Sequence, residues 1–227
     1  MRQTIRRGRV SRSEDPRSEA YDDTGMTNRP SGTEGYGETA DALVKHYEGV
    51  TFAEVHRETL HLLPTMPGRV LDIGAGTGRD AAALAALGHS VVAVEPTPEL
   101  RAHGQRLHRD AAITWIDDAL PDLDKVQARG ERYDLVLLTA VWMHLDSGQR
   151  ERAMATVAGL LQPGALATLL LRHGPVPAGR RMFEVSAVET RTLAAHHGLG
   201  TIHDSERPAL LAGSAVWWSV LALRAPA

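Results

Sequence analysis

The chain has 227 residues and a mass of 24.6 kDa, enough for one full-sized domain, and its 43% hydrophobic and 23% charged residues are those of a globular protein, not a fibre or a disordered chain. With 25 Lys and Arg against 28 Asp and Glu the net charge is -3, so no overall positive field draws nucleic acid or acidic lipid, and nucleic acid is not an expected partner. Zero cysteines exclude disulfides, iron-sulfur clusters, thiolate zinc sites and a cysteine nucleophile; no apolar run approaches a membrane span and no secretory signal is visible, so the expected address is cytoplasmic.

Residues 1–38 carry six Arg by position 17, then acids, Gly, Ser, Thr and Pro, with little to bury, and are expected to form a disordered tail in which Met26 is an alternative start. Glu14, Asp15 and Glu19 oppose an organelle address. The folded domain is expected over residues 39–227. It opens with amphipathic helix from Thr39 to Leu63, broken near Gly49 and ended by Pro64 and Pro67. The β-branched run Arg69–Ile73 then predicts a strand that leads into Gly74-Ala75-Gly76-Thr77-Gly78 and an Ala/Leu-rich helix stopped at Gly88.

The same alternation continues. Val91–Glu95 reads as a strand, followed by a helix from Thr97 and Pro98 to about His108; Ile113–Ile116 and Tyr133–Leu138 are the next strands. Asp146 with Gln149 is a capping box opening a helix that Gln162-Pro163-Gly164 closes before a strand at Ala165–Leu171. Ser186 with Glu189 repeats the capping signature for a helix ending at Gly198, and Leu199–His203 and Ala215–Leu223 are two final strands with no helix between them. Strands separated by single helices predict an α/β, three-layer Rossmann-like sheet of seven strands, mostly parallel with the last strand antiparallel, and about six helices on both faces. The longest irregular pieces are expected at residues 174–185 and 204–213.

In such a sheet ligands sit beyond the carboxyl ends of the strands, where strand order reverses. The glycine turn after Asp72-Ile73 is that place, and its bare peptide N–H groups can meet a carboxylate, ribose or phosphate. Two details select among ligands. The dinucleotide fingerprint wants its third glycine where Arg79 stands, and an acid, Asp72, precedes the turn, which disfavours pyrophosphate and favours a cationic ligand. The second strand ends in Glu95, placed to accept both hydroxyls of an unphosphorylated ribose, and the third ends in Asp117-Asp118-Ala119, where an acid can accept from an adenine amino group.

Val70 to Gly78, Glu95, Asp118-Ala119 and Ala140-Val141-Trp142-Met143-His144-Leu145 together resemble class I S-adenosylmethionine-dependent methyltransferases over about Thr39 to Leu223. The resemblance implies that the backbone of Gly74, Ala75, Gly76 and Gly78 meets the methionine part of the donor, that Asp72 stabilises its amino end, and that Glu95 holds the ribose hydroxyls. Asp118 and the Ala119 N–H, or Asp117 in the alternative register, would take adenine, while Thr139 and Ala140 lie along the donor near its sulfonium. Where the family segment often has two histidines before the final Leu, this chain has Met143 and His144.

Methyl transfer from a sulfonium needs mainly alignment, with about 7 to 11 kcal/mol available from orientation in favourable cases. His144 at the mouth of the fourth strand is the candidate base for the acceptor's proton; the alternative is a wall or capping residue. Arg172 and His173 after the fifth strand, and Arg180 and Arg181 in the same loop, concentrate cations at the expected substrate mouth and favour a small carboxylate- or phosphate-bearing acceptor, unless they are solvated or paired with Glu184. Tyr47 and His56 are read either as lid residues of the leading helical segment 39–64 or as packing, and Trp142 either stacks on an aromatic acceptor or belongs to the core. Of Trp217 and Trp218, adjacent on a strand, one should be buried while the other marks an edge or partner surface. No metal site is expected from the eleven His, none of which pair at i,i+4. Base-amino and cytosine-carbon methylation are excluded by the absence of their motif and of cysteine. The expected activity is therefore methyl transfer to oxygen or nitrogen of a small molecule by a monomer or homodimer; a nicotinamide oxidoreductase and a catalytically silent donor-binding module are the competing expectations.

Overall fold

The computed structural model describes residues 30, 32–210 and 215–227. Seven strands form one sheet: β1 (Arg69–Ile73), β2 (Ser90–Val94), β3 (Ile113–Ile116), β4 (Tyr133–Thr139), β5 (Leu161–His173), β6 (Gly200–Pro208) and β7 (Trp217–Arg224). Their order is β3-β2-β1-β4-β5-β7-β6, parallel except for β7, which runs antiparallel to both β5 and β6. The α-helices are α1 (Ala40–Glu48), α2 (Phe52–Val55), α3 (Arg79–Ala86), α4 (Pro98–Leu107), α5 (Asp124–Gln127), α6 (Ser147–Leu160) and α7 (Ala187–His196).

Strand periodicity divides the core into two layers. Leu71 and Ile73 of β1, Val92 and Val94 of β2 and Val136 and Leu138 of β4 point to one face, with Trp142, Met154 and Leu169. Val70, Val91, Ala93, Leu135 and Leu137 point to the other, against Ala81 and Leu84 of α3 and Phe52 of α2. Burial on both faces explains the near-continuous apolar runs of these strands. Asp72 belongs by the same alternation to the face of Val70, under α3, so the fold forces a carboxylate into an apolar layer. Strand order reverses between β1 and β4, and the cleft described below opens there.

Asp146 and Gln149 form the expected capping box of α6. Ser186 caps α7 by accepting from the Glu189 N–H, but the Glu189 carboxylate pairs with Arg150 of α6 at 2.8 Å, so the reciprocal half of the expected box is missing. The helix stop at Pro163-Gly164 becomes an irregular start to β5, because the register shifts between Tyr133 and Leu135 of the neighbouring strand. The expected loop over residues 204–213 is corrected: β6 runs on to Pro208, paired with β7 throughout. Its polar run Asp204-Ser205-Glu206 conceals a strand because an edge strand need not alternate apolar residues. Residues 211–214 of that expected loop lie outside the described residues.

The expected disordered tail is corrected at its end. Residues 32–38 are placed as a strap of turns across the sheet's carboxyl edge, while residues 1–29 lie outside the described residues. Apolar count alone gives this strap no reason to fold; it is held by Arg180 of the loop that follows β5. No helix among the described residues is long and apolar enough to cross a membrane.

Candidate active site

A cleft of about 550 Å³ opens at the carboxyl ends of β1, β2 and β4, a size that suits a nucleoside-sized ligand and a small partner. Its floor is the glycine turn. Gly74 and Gly78 have φ of 70° and 84°, and a Cβ at Gly74 would stand 2.4 Å from Val141 Cγ2, so this backbone course and this packing are open to glycine alone. Gly78 and Gly104 of α4 together seat the Trp115 indole, which would meet a Cβ at 2.7 Å and 2.4 Å respectively. The helix start thereby lies close against β3.

Two acids under the turn have opposite environments. Asp80 of α3 is 4% exposed and accepts from His56 Nε2 at 2.8 Å, Arg79 Nε at 2.6 Å and Thr139 Oγ1 at 3.2 Å. Burial alone would raise its carboxyl, but the His56 and Arg79 partners hold it below the usual carboxylate range. Asp72 accepts from the Ala81 N–H, yet its Oδ2 is buried with no hydrogen-bond partner among the described residues. Burial first, and the Asp80 charge second, push the Asp72 carboxyl well above its ordinary value. An orphaned, buried carboxylate oxygen lining a cleft is the feature that a cationic group of a ligand would satisfy. Of the two readings of His56, lid or packing, the structure takes the second: it is fully buried and its Nε2 is engaged by Asp80.

Glu95 closes the next wall. Its Oε2 accepts from the Gly76 N–H and its Oε1 from the Thr97 N–H, both at 2.8 Å, and the Thr97 side chain also bonds the carboxylate, which still leaves acceptor capacity for a further donor such as a ribose hydroxyl. Burial raises this carboxyl despite those bonds. Asp118 lines the cleft while its carboxylate accepts from the N–H groups of Ala119, Lys125 and Val126, so it ties α5 to the site. Asp117 points away, pairs with Arg101 at 3.2 Å and is absent from the cleft wall. Thr139 and Ala140 line the cleft at the end of β4, where Ala140 has φ of 60°, a strained value for a residue with a Cβ. Above the turn, α1 is tied down by Glu48, which accepts from Thr77 Oγ1 at 2.5 Å, and its Tyr47 ring stands where a Cβ at Gly76 would meet it at 3.5 Å.

The opposite half of the cleft is built from segments far apart in sequence. His144 Nδ1 lies 2.9 Å from the Arg181 carbonyl and Nε2 lies 3.0 Å from the Tyr36 hydroxyl. A carbonyl only accepts, so Nδ1 carries the hydrogen and the neutral ring's Nε2 accepts from Tyr36. Burial lowers the His144 pKa and raises that of Tyr36. Arg180 places its guanidinium 3.6 Å from the Tyr36 ring centroid and donates to the Glu34 carbonyl and to Thr39 Oγ1, which pins the strap. Arg172 and Arg207 also line this half; Arg207 is 6% exposed, pairs with Glu58 at 3.3 Å and donates to the Val55 carbonyl.

Three expected acceptor contacts are corrected. Trp142 is fully buried in the core, because the short turn Trp142–His144 directs it inward. His173 stacks on Trp217 at 3.7 Å and meets Ser219 Oγ at 2.9 Å, outside the cleft. Arg181 contributes its carbonyl, not its guanidinium, which lies against Phe183; Arg180 is the cation that faces the cleft. Tyr36 and Arg207 were absent from the residues singled out in the sequence as acceptor contacts. The Arg180-Arg181 pair carried a signal, but nothing in residue pattern chose between its members.

The strand order, the glycine turn and the acid at the end of β2 are those of the class I S-adenosylmethionine-dependent methyltransferase fold. Residues 70–164 match the family described as Methyltransferase domain. An uncharacterized methyltransferase of Mycobacterium tuberculosis is 35% identical over 103 residues, which are 45% of this chain and 39% of that protein, so the match spans well under half of the relative. Among solved structures, the Burkholderia thailandensis 1,6-didemethyltoxoflavin-N1-methyltransferase with bound 1,6-didemethyltoxoflavin and S-adenosylhomocysteine superposes with a TM-score of 0.61 at 22% identity, covering 84% of this chain and 88% of that one. The N-methyltransferase NodS of Bradyrhizobium japonicum, in complex with S-adenosylhomocysteine, gives a TM-score of 0.61 at 17% identity over 85% of this chain and 99% of its own.

Proposed function

We propose that this chain transfers a methyl group from S-adenosylmethionine to an oxygen or nitrogen of a small anionic acceptor. The observation that carries the reading is the charge division of one cleft. Asp72, Asp80, Glu95 and Asp118 line the half around the glycine turn, where the one lining cation, Arg79, is paired with Asp80, whereas Arg172, Arg180 and Arg207 line the other, where no carboxylate stands among the described lining residues. A cationic donor and an anionic acceptor would each meet opposite charge, which steers both and sets their order across the cleft.

The residues fit the donor. Asp72 Oδ2 and the turn's N–H groups suit an ammonium and carboxylate, Glu95 retains acceptor capacity for ribose hydroxyls, and Asp118 with the Ala119 backbone borders the place for a base. When bound, the donor supplies an electrophilic methyl; the protein's own part is to orient the acceptor, exclude water with the strap and α1, and take up the acceptor's proton at His144. The bound ligands of the two structural neighbours support this reading. Isothermal titration with S-adenosylhomocysteine, with NAD as control, tests the donor: micromolar binding of the former alone is expected. Binding of NAD without S-adenosylhomocysteine would reverse the assignment to an oxidoreductase. Loss of a carboxylate-bearing acceptor's turnover in Arg172→Ala, with the donor's affinity retained, is the expected mark of an anionic substrate.

A further inference from the structure

Tyr36 stands at the one place where the cleft's only candidate base among the described acceptor-half residues meets the strap. Its hydroxyl is 3.0 Å from His144 Nε2, and the rings meet edge to face with centroids 5.4 Å apart. Because the Arg181 carbonyl fixes the hydrogen on Nδ1, the basic lone pair of His144 is already engaged by the Tyr36 hydroxyl. The contact is built, not incidental. Gly32, at φ of 96°, lets the strap approach His144 so closely that a Cβ there would lie 2.9 Å from His144 Cβ, and a Cβ at Gly35 would lie 2.6 Å from the Gly179 carbonyl. Arg180 holds the ring from the other side at 3.6 Å. Both Tyr36 and His144 line the cleft.

We propose that Tyr36 is a catalytic residue: its hydroxyl, not the imidazole, meets the acceptor and relays the acceptor's proton to His144. This rests on the methyltransferase reading above. In the step, the acceptor's O–H or N–H bond breaks and leaves its electron pair on the heteroatom, which takes the methyl. That proton forms a new O–H bond at Tyr36 while the hydrogen Tyr36 now donates moves to His144 Nε2. The phenol is unchanged at the end and the imidazolium carries the charge until it releases the proton to solvent. Arg180 over the ring favours any anionic character at the phenol oxygen during the exchange.

The test has a part that needs no acceptor. Long-range proton–nitrogen spectra of the labelled full chain should show His144 as the Nδ1–H tautomer at neutral pH, with its Nε2 resonance displaced in Tyr36→Phe. An Nε2–H tautomer would overturn the relay, since Tyr36 would then be the acceptor of that bond. Turnover is read as S-adenosylhomocysteine formed from S-adenosylmethionine with a panel of hydroxybenzoates, catechol carboxylates and heterocyclic amines. Tyr36→Phe should lower turnover about 100-fold or more and flatten the rise of rate with pH, His144→Ala should do the same, and the double variant should be no worse than either. If Tyr36 only covers His144, Tyr36→Phe frees Nε2 and the rate stays equal or rises, which would sink the proposal. Titration of both variants with S-adenosylhomocysteine separates the two ideas. Unchanged affinity with lost turnover supports the relay; a wild type that binds no S-adenosylhomocysteine removes the methyltransferase reading itself, and one that binds it yet turns over no member of the panel removes the relay.

Discussion

The two halves of the cleft are made by different means. Around the glycine turn, the four acids come from strand ends and helix starts within residues 72–119, and backbone N–H groups satisfy Glu95 and Asp118. Across from it, the wall is assembled from the strap at 32–38, the loop around Arg180 and the distant Arg207 of β6, joined by side chains. The first half is fixed by the central strands and changes little without cost to the fold. The second half adds to Arg172 of β5 and Arg207 of β6 a strap and a loop that lie outside the sheet, and this is where chains sharing one scaffold can differ in acceptor.

The strongest way to break that contrast is Asp80→Ala. It strips His56 and Arg79 of their shared buried partner, and a destabilisation of about 3 to 5 kcal/mol is expected in urea denaturation, as for other buried pairs that lose one member. Arg180→Ala, by comparison, should leave the denaturation midpoint nearly in place while proton–deuterium exchange of residues 32–38 accelerates more than tenfold. Equal destabilisation by the two variants would erase the distinction.

Glu95→Gln comes next. Both carboxylate oxygens accept from peptide N–H groups, and an amide can satisfy only one of them, so S-adenosylhomocysteine affinity should fall about 10- to 100-fold in calorimetry with the fold retained. Asp72→Asn sharpens the comparison through pH. Because the folded Asp72 carboxyl lies above its unfolded value, its contribution to stability is full below the ordinary value of 3.8 and is lost as pH rises through the folded one. In the ligand-free protein at neutral pH, Asp72→Asn should therefore melt higher than wild type, with a flatter dependence on pH, while binding the donor product more weakly. A lower melting temperature at neutral pH together with undiminished binding would show that Asp72 is not held under strain for a ligand. The smallest effect is expected for Asp117→Ala: its exposed pair with Arg101 lies off the cleft, and affinity should change less than about twofold, against a clear loss for Asp118→Ala.

The same division governs what could be read from residues alone. The β1 run Arg69–Ile73, the three glycines and Glu95 announce their geometry because period, turn chemistry and function lie within one short stretch. Choosing Asp118 over Asp117 needed coordinates, since adjacent acids differ only in which side of the chain they face. Trp142 could be read from residues either as an acceptor contact or as core, and the single helical turn that sends it inward is what decides for the core. Residues 32–38 and β6 were illegible for a different reason. Neither buries an apolar stripe of its own: one is held by an arginine stacked on Tyr36, the other by main-chain bonds to β7, and hydropathy records neither kind of attachment.

The seating of Gly32 and Gly35 carries a practical corollary for anyone trimming the gene. A fragment begun at residue 39, where composition suggests cutting, would keep the whole sheet and the glycine turn and would be expected to fold and capture nucleoside, yet it would present a doorway in place of a wall beside His144. Assays on such a fragment would record donor occupancy without productive turnover, and the missing part would be mistaken for a missing substrate.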